Sequence, residues 1–213
     1  MSKAVTRMFA RGVVAVMVGT AVLGCSPQSG RQAAAPSPST SVQPTANPSS
    51  MRARLELPMR LGNRSRFFHR PLLFALGDDL ERLSRLVDDP RDEAGQVYNG
   101  ESDADYAVLV SAVAGTVSDE EATLDEVFRF FPQVREIRAV DPGPLGGVAR
   151  CGNGRNDQYY VTMCAWADRI SLGTVTFLSS KKRLGPPGNE FIEIRSMLEI
   201  PIPGPDPRPV ITG

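Results

Sequence analysis

Two cysteines, Cys151 and Cys164, constrain the fold of this chain more than any other feature. Between them runs Gly152-Asn153-Gly154-Arg155-Asn156-Asp157, flanked by two segments rich in strand-forming residues, Val148 to Cys151 and Tyr159 to Trp166. A turn-rich run between two such segments reads as a hairpin loop. A bridge between the two thiols would staple the hairpin and close a loop of about 14 residues, worth roughly 3 kcal/mol in the chain-entropy account. The alternative is a metal site, which needs about four ligands. The chain has one histidine and three cysteines, so the donor set is thin. Whether the thiols oxidise depends on the compartment, and the N-terminus speaks to that.

Lys3, Arg7 and Arg11 precede an apolar run from Gly12 to Leu23, and Gly24-Cys25 comes next. The run is about a dozen residues, too short for the roughly 30 Å hydrocarbon core of a bilayer. It fits the apolar region of an export signal. The order basic, apolar, small, cysteine resembles the lipobox of bacterial secreted lipoproteins. That resemblance implies that residues 1–24 are a removed signal peptide and that Cys25 is the lipidation site. It implies a mature chain held on the extracytoplasmic face of the cell membrane by its acylated, palmitate-bearing N-terminus. A plain secretory signal with a chance cysteine after it is the other reading. Either way the chain is exported, and an even pair of cysteines in an exported chain reads as a disulfide.

Residues 25–50 hold five prolines, one charge (Arg31), one valine and no aromatic residue. Such a segment cannot bury enough apolar area to offset its ordering entropy, so it is expected to be a disordered Ser/Pro/Ala-rich tether. At roughly 5–6 Å × √n it would hold a domain about 25–30 Å from its anchor. The stretch 51–200, with a proline-rich tail over 201–213, has the length of one domain. Loss of Lys3, Arg7 and Arg11 leaves 21 basic residues against 24 acidic ones. That balance lacks the basic excess of a nucleic-acid binder, so no nucleic-acid partner is expected.

Along the domain, Leu72, Leu76, Leu80, Leu83 and Val87 recur at helical spacing. They predict a helix over 71–87, opened by Pro71 and stopped by Asp88-Asp89-Pro90. Gln96-Val97-Tyr98 and Asp105 to Ala114 read as strands joined by a turn over Gly100 to Asp103. The second is almost wholly apolar and belongs in the middle of a sheet, covered on both faces. Ser118-Asp119-Glu120-Glu121 has the pattern of a capping box with Ser118 at the N-cap, and Leu124, Val127, Phe128 and Phe131 give the apolar face of the helix it opens. A calcium site in the acidic cluster 119–121 is the functional alternative, without the spacing of a known loop. Val134 to Asp141 alternates weakly as a strand, Pro142 to Gly147 is a turn, and Val148 to Cys151, Tyr159 to Trp166 and Leu172 to Leu178 are strand candidates. Asn189 can cap a last helix carrying Phe191, Ile194 and Leu198, with a strand reading of Ile192 and Ile194 open. The order predicts an α+β fold: a mostly antiparallel sheet with two or three helices packed on one face and one disulfide.

Gly143-Pro144-Leu145-Gly146-Gly147, Cys151-Gly152, Cys164-Ala165-Trp166-Ala167-Asp168 and Gly173-Thr174-Val175 together resemble a family of uncharacterised secreted or membrane lipoproteins of actinobacteria. That family carries a Gly-Gly…Cys…Cys-x-Trp-Ala-Asp…Gly signature. The resemblance covers about 40 residues closely and about 100 loosely. A threonine often comes after the aspartate in such proteins. Here Arg169-Ile170-Ser171-Leu172 stands there, and Ser171 takes that place. The resemblance implies an extracytoplasmic α+β domain with a disulfide, and no activity. Read from the residues alone, Trp166 lies two positions beyond Cys164 and shares its strand face. Asp168 at a strand end can accept turn amides such as those of Ile170 or Ser171, and Gly173 relieves crowding beside the Trp ring. The functional alternative makes Trp166 and Asp168 the lining of a ligand groove.

His69, the single histidine, cannot alone supply a triad. It sits in Arg64-Ser65-Arg66-Phe67-Phe68-His69-Arg70. This stretch is either a solvated approach whose Phe side chains join the core or a contact for anionic lipid head groups. Ser179-Ser180-Lys181-Lys182 matches Ser-x-x-Lys without its companion elements. No catalytic residue, metal ligand or cofactor is therefore assigned. The expectation is a non-enzymatic binding or accessory module, partnered by the membrane through its lipid and by an envelope protein or small ligand. The alternatives are a carrier of an apolar or lipid-like ligand, suggested by Phe67, Phe68, Phe128, Phe130, Phe131 and Trp166, and an uncharacterised hydrolase.

Overall fold

The computed structural model describes residues 51–102, 105–183 and 185–204. Cys25, the expected signal and tether over 1–50, Asp103 of the expected turn and the tail beyond 204 lie outside the described residues. The elements run β1 (Met51–Leu55), β2 (Arg60–Leu61), β3 (Arg64–Ser65), α1 (Arg70–Ser84), β4 (Asp88–Asn99), β5 (Asp105–Thr116) and α2 (Glu120–Phe130). They continue β6 (Val134–Ala139), β7 (Val148–Arg155), β8 (Tyr160–Asp168), β9 (Ser171–Ser179), α3 (Gly188–Leu198) and β10 (Glu199–Pro203). Six strands form one antiparallel sheet in the order β4-β5-β9-β8-β7-β6, so the fold is α+β as the element pattern predicts. Among the described residues no helix is long and apolar enough to cross a membrane.

The apolar strands β5, β9 and β8 are internal, which their sequence requires. Alternate residues face two cores. Leu109, Val113, Met163, Ala165 and Leu172 pack with Leu76 and Leu83 of α1 and with Leu124, Val127 and Phe128 of α2. Val110, Cys164, Trp166, Val175 and Phe177 pack with Leu55 of β1 and with Phe191, Ile194 and Leu198 of α3. The helices therefore divide between the two faces, where the element order predicts them on one. A sheet apolar on both sides must be covered on both, and helices confined to one side cannot do that.

Several boundaries move for local reasons. α1 ends at Ser84 and Val87 packs from the turn after it, whose Leu86 amide donates to the Leu83 carbonyl at 3.0 Å. Asp88-Asp89-Pro90 opens the long edge strand β4, and Pro90 falls in an irregularity between Asp88 and Asp92 where no ladder bond is lost. Asp119, not Ser118, is the N-cap of α2, accepting the Ala122 amide at 3.0 Å, and the Ser118 hydroxyl donates to Asp88 at 3.0 Å. At α3 the cap position is Pro187 rather than Asn189. Pro201 to Pro203 are not a free appendage, since β10 pairs antiparallel with β1 from Leu55↔Glu199 to Met51↔Pro203.

The hairpin turn also sits later than the glycines suggest. Gly152 to Arg155 belong to β7, and the turn is Asn156 to Tyr159, closed by Asn156 Oδ1 accepting the Gln158 and Tyr159 amides at 3.0 and 2.7 Å. Gly152 and Gly154 instead let β6 come close: a Cβ would stand 2.6 Å from Val134 Cγ1 at the first and 2.4 Å from the Gln133 carbonyl oxygen at the second. Cys151 and Cys164 are directly opposite one another in the β7–β8 register and form the disulfide, with Cα atoms 4.0 Å apart.

Candidate functional site

Trp166 and Asp168, the two residues singled out in the sequence, do not line a groove. Trp166 is fully buried. Its indole N–H donates to Ser171 Oγ at 3.0 Å, and Ser171 Oγ in turn donates to Asp168 Oδ2 at 3.2 Å. Asp168 Oδ1 accepts the amides of Ile170 and Ser171 at 2.8 and 2.9 Å, which closes the β8–β9 turn. Gly173 lies opposite Trp166 in the register, and a Cβ there would approach Trp166 Cη2 to 2.2 Å.

Arg195 completes this cluster, and the sequence reading missed it. It is buried on the apolar stripe of α3 beside Ile194 and Leu198. Its Nη2 donates to Asp168 Oδ2, its Nε to Glu199 Oε2 at 3.0 Å, and its Nη1 to the carbonyls of Pro142 and Gly146 at 3.0 and 2.8 Å. Its guanidinium lies 5.6 Å from the Trp166 ring. The signal available was a charged residue on the buried stripe with Glu199 four positions on, since a guanidinium enters a core only when its donors are met. The loop that receives it has Gly143, Gly146 and Gly147 at φ 81°, 74° and 78°, a conformation that favours glycine. Burial, and then the neighbouring Asp168 carboxylate, push the Glu199 carboxyl up to about 7, against the opposing pull of Arg195. With Glu199 protonated, Arg195 and Asp168 balance, and the cluster is neutral. It is a saturated internal network, built to hold a loop, a turn and a helix together.

A second polar cluster faces outward. A cavity of about 230 Å³ opens at the β6–β7 end of the sheet, on the face that carries the disulfide. Cys151, Asn153 and Thr162 line it from the strands, Glu136 and Arg138 from β6, and Lys182 and Arg183 from the segment after β9. A bulge between Arg135 and Arg138 sets Glu136 at φ 53° and brings Arg138 opposite Cys151, on the disulfide's side of the sheet. Thr162 Oγ1 donates to Asn153 Oδ1 at 2.9 Å, which leaves the Asn153 amide nitrogen as a donor. Arg183 Nη1 bonds Glu190 at 2.9 Å, its Nη2 lies 3.7 Å from Asp105, and its guanidinium stacks 4.5 Å from the Phe177 ring. Its Nε is buried and has no hydrogen-bond partner among the described residues. Arg138 and Lys182 are exposed and make no ion pair among the described residues.

The remaining candidates separate. Phe67 packs on the core while Phe68 is 82% exposed, and Arg64, expected in a solvated stretch, is buried against Glu190 at 2.8 Å. His69 stacks on Phe67 at 5.6 Å. Ser179 is buried in β9, where its hydroxyl donates to the Lys181 carbonyl at 2.8 Å, while Lys182 turns to the cavity. Phe128, Phe131 and Trp166 belong to the cores and do not line the cavity. Asp119 caps α2, and Glu121 pairs with Arg150. Among the described residues no group of three or more His, Cys, Asp or Glu is placed to hold a metal ion. Compared with family models, with curated proteins and with solved structures, the chain has no match.

Proposed function

We propose that this protein is a lipid-anchored, extracytoplasmic binding module without catalytic activity, tethered through Cys25 and taking its ligand at the cavity between β6, β7 and the segment after β9. The observation that carries this reading is the contrast between the two polar clusters. Asp168, Arg195 and Glu199 spend their bonding capacity on one another inside the protein. Among the described residues Arg138 and Lys182 make no ion pair, and they line an open cavity, where a ligand can engage them. The export address draws support from the basic–apolar–Gly-Cys order of the N-terminus and from the bridge between Cys151 and Cys164.

Two measurements test it. Metabolic labelling with palmitate should mark the parent and not Cys25→Ala, and the variant should leave the membrane fraction. An unlabelled parent recovered from the cytoplasm would overturn the anchoring. Native mass spectrometry of protein taken from its own envelope should show a bound small molecule beyond the acylated chain mass. Turnover of a substrate that one polar substitution abolishes while the fold survives would overturn the non-catalytic reading.

A further inference from the structure

Resting on that reading of the cavity, we infer that it is a phosphoryl site, built for free phosphate or for the phosphate group of a small hydroxylated ester. Charge comes first. Arg138, Lys182 and Arg183 stand against one lining carboxylate, Glu136. Glu190 and Asp105 answer Arg183 from outside the cavity, while Arg138 and Lys182 make no ion pair among the described residues. Two cations set against the single carboxylate of Glu136 leave the cavity cationic, which suits an anion with several acceptor oxygens such as a phosphoryl group.

The donors agree with the charge. Arg138 and Lys182 bring guanidinium and ammonium N–H donors to the cavity, while the Arg183 guanidinium is engaged by Glu190, Asp105 and the Phe177 ring. The Asn153 amide nitrogen is a further donor, its oxygen being held by Thr162. Glu136 can accept from a hydroxyl, which gives an ester a second point of recognition away from its phosphate.

Size and rigidity bound the ligand. The cavity, of about 230 Å³, has room for a phosphate with a short polyol. The strand side of the cavity is held by the Cys151–Cys164 bridge, and Arg138 reaches it through the β6 bulge. The backbone that carries Arg138 is therefore set before a ligand arrives, which lowers the entropy lost on binding.

The test is calorimetric titration of the full mature protein in detergent with inorganic phosphate, glycerol 3-phosphate and glycerol, at constant ionic strength. Saturable binding of phosphate with none of glycerol is expected. A tighter ester assigns the ligand to a phosphate ester, and equal affinities assign it to free phosphate. The double variant Arg138→Gln/Lys182→Gln should bind at least about tenfold more weakly, because two charge-assisted bonds are lost. Its melting temperature without ligand should be unchanged, since neither side chain holds the fold. Absence of saturable phosphate binding, or equal binding by the double variant, overturns the proposal. A co-purified ligand lacking a phosphoryl group overturns it too while leaving the binding-module reading in place, whereas an unacylated cytoplasmic protein removes that reading and leaves the titration result standing.

Discussion

Arg195 and Asp168, 27 positions apart, meet inside the protein, guanidinium against carboxylate and beside the Trp166 ring. Through this pair α3 is tied to the β8–β9 turn, and through the other guanidinium nitrogen to the glycine loop before β7. Each part of the Gly-Gly…Cys…Cys-x-Trp-Ala-Asp…Gly pattern then has a physical task. The glycine loop presents carbonyls to Arg195, the cysteines bridge β7 to β8, Trp166 fills the core, Asp168 closes the turn and Gly173 makes room for the indole.

Asp168→Ala should cost about 3–5 kcal/mol, because it leaves Arg195 buried without its anionic partner and opens two turn amides. Urea unfolding checks this. A loss below about 1 kcal/mol would mean that the cluster is solvated or easily repacked.

Stability should fall as pH rises through the acid-to-neutral range. Burial first, with Asp168 second, raises the Glu199 carboxyl from 4.5 to about 7, and burial raises Asp79 from 3.8 to about 6. The folded chain therefore holds protons that the unfolded chain releases. The contribution is complete below the unfolded values and is lost as pH rises through the folded ones, between about 4 and 7. Glu199→Gln mimics the protonated acid, so it should flatten the upper part of this slope and exceed the parent at pH 8 by on the order of 1–3 kcal/mol. Melting temperatures from pH 4 to about 8 decide it, and an unchanged slope in the variant counts against a protonated Glu199.

Cys164→Ser should lose roughly 3 kcal/mol under oxidising conditions, the loop-closure contribution of the bridge. The thermal unfolding of the variant and the reduced parent should coincide. Equal stability of variant and oxidised parent would show that the two sulfurs are not bridged.

Gly173→Ala places a methyl group 2.2 Å from the Trp166 ring and 2.8 Å from the Ser111 carbonyl oxygen. Neither the fully buried indole nor the β5 backbone can withdraw, so a loss of about 1–3 kcal/mol or more is expected in chemical denaturation. Gly77→Ala, on the open side of α1 with nothing within 4 Å, is the control and should be neutral or stabilising by up to about 1 kcal/mol.

Much of the fold is encoded in local patterns. The leucine stripe of α1, the apolar face of α2, the central place of β5, the bridging of Cys151 and Cys164 and the fit of Gly173 to Trp166 come from periodicity, alternation and spacing. The turn-closing role of Asp168 was legible for the same reason, since its partners Ile170 and Ser171 are two and three residues away. Tertiary structure decided what distant segments do together. Arg195 reads as a misplaced charge until Asp168, Glu199 and the glycine loop surround it. The pairing of β1 with β10, the placing of α3 on the second face and the cavity where Arg138 meets Lys182 and Arg183 also join residues far apart in the chain. Local preferences act over a few residues, while charge burial and sheet coverage are settled only when the whole chain closes around them.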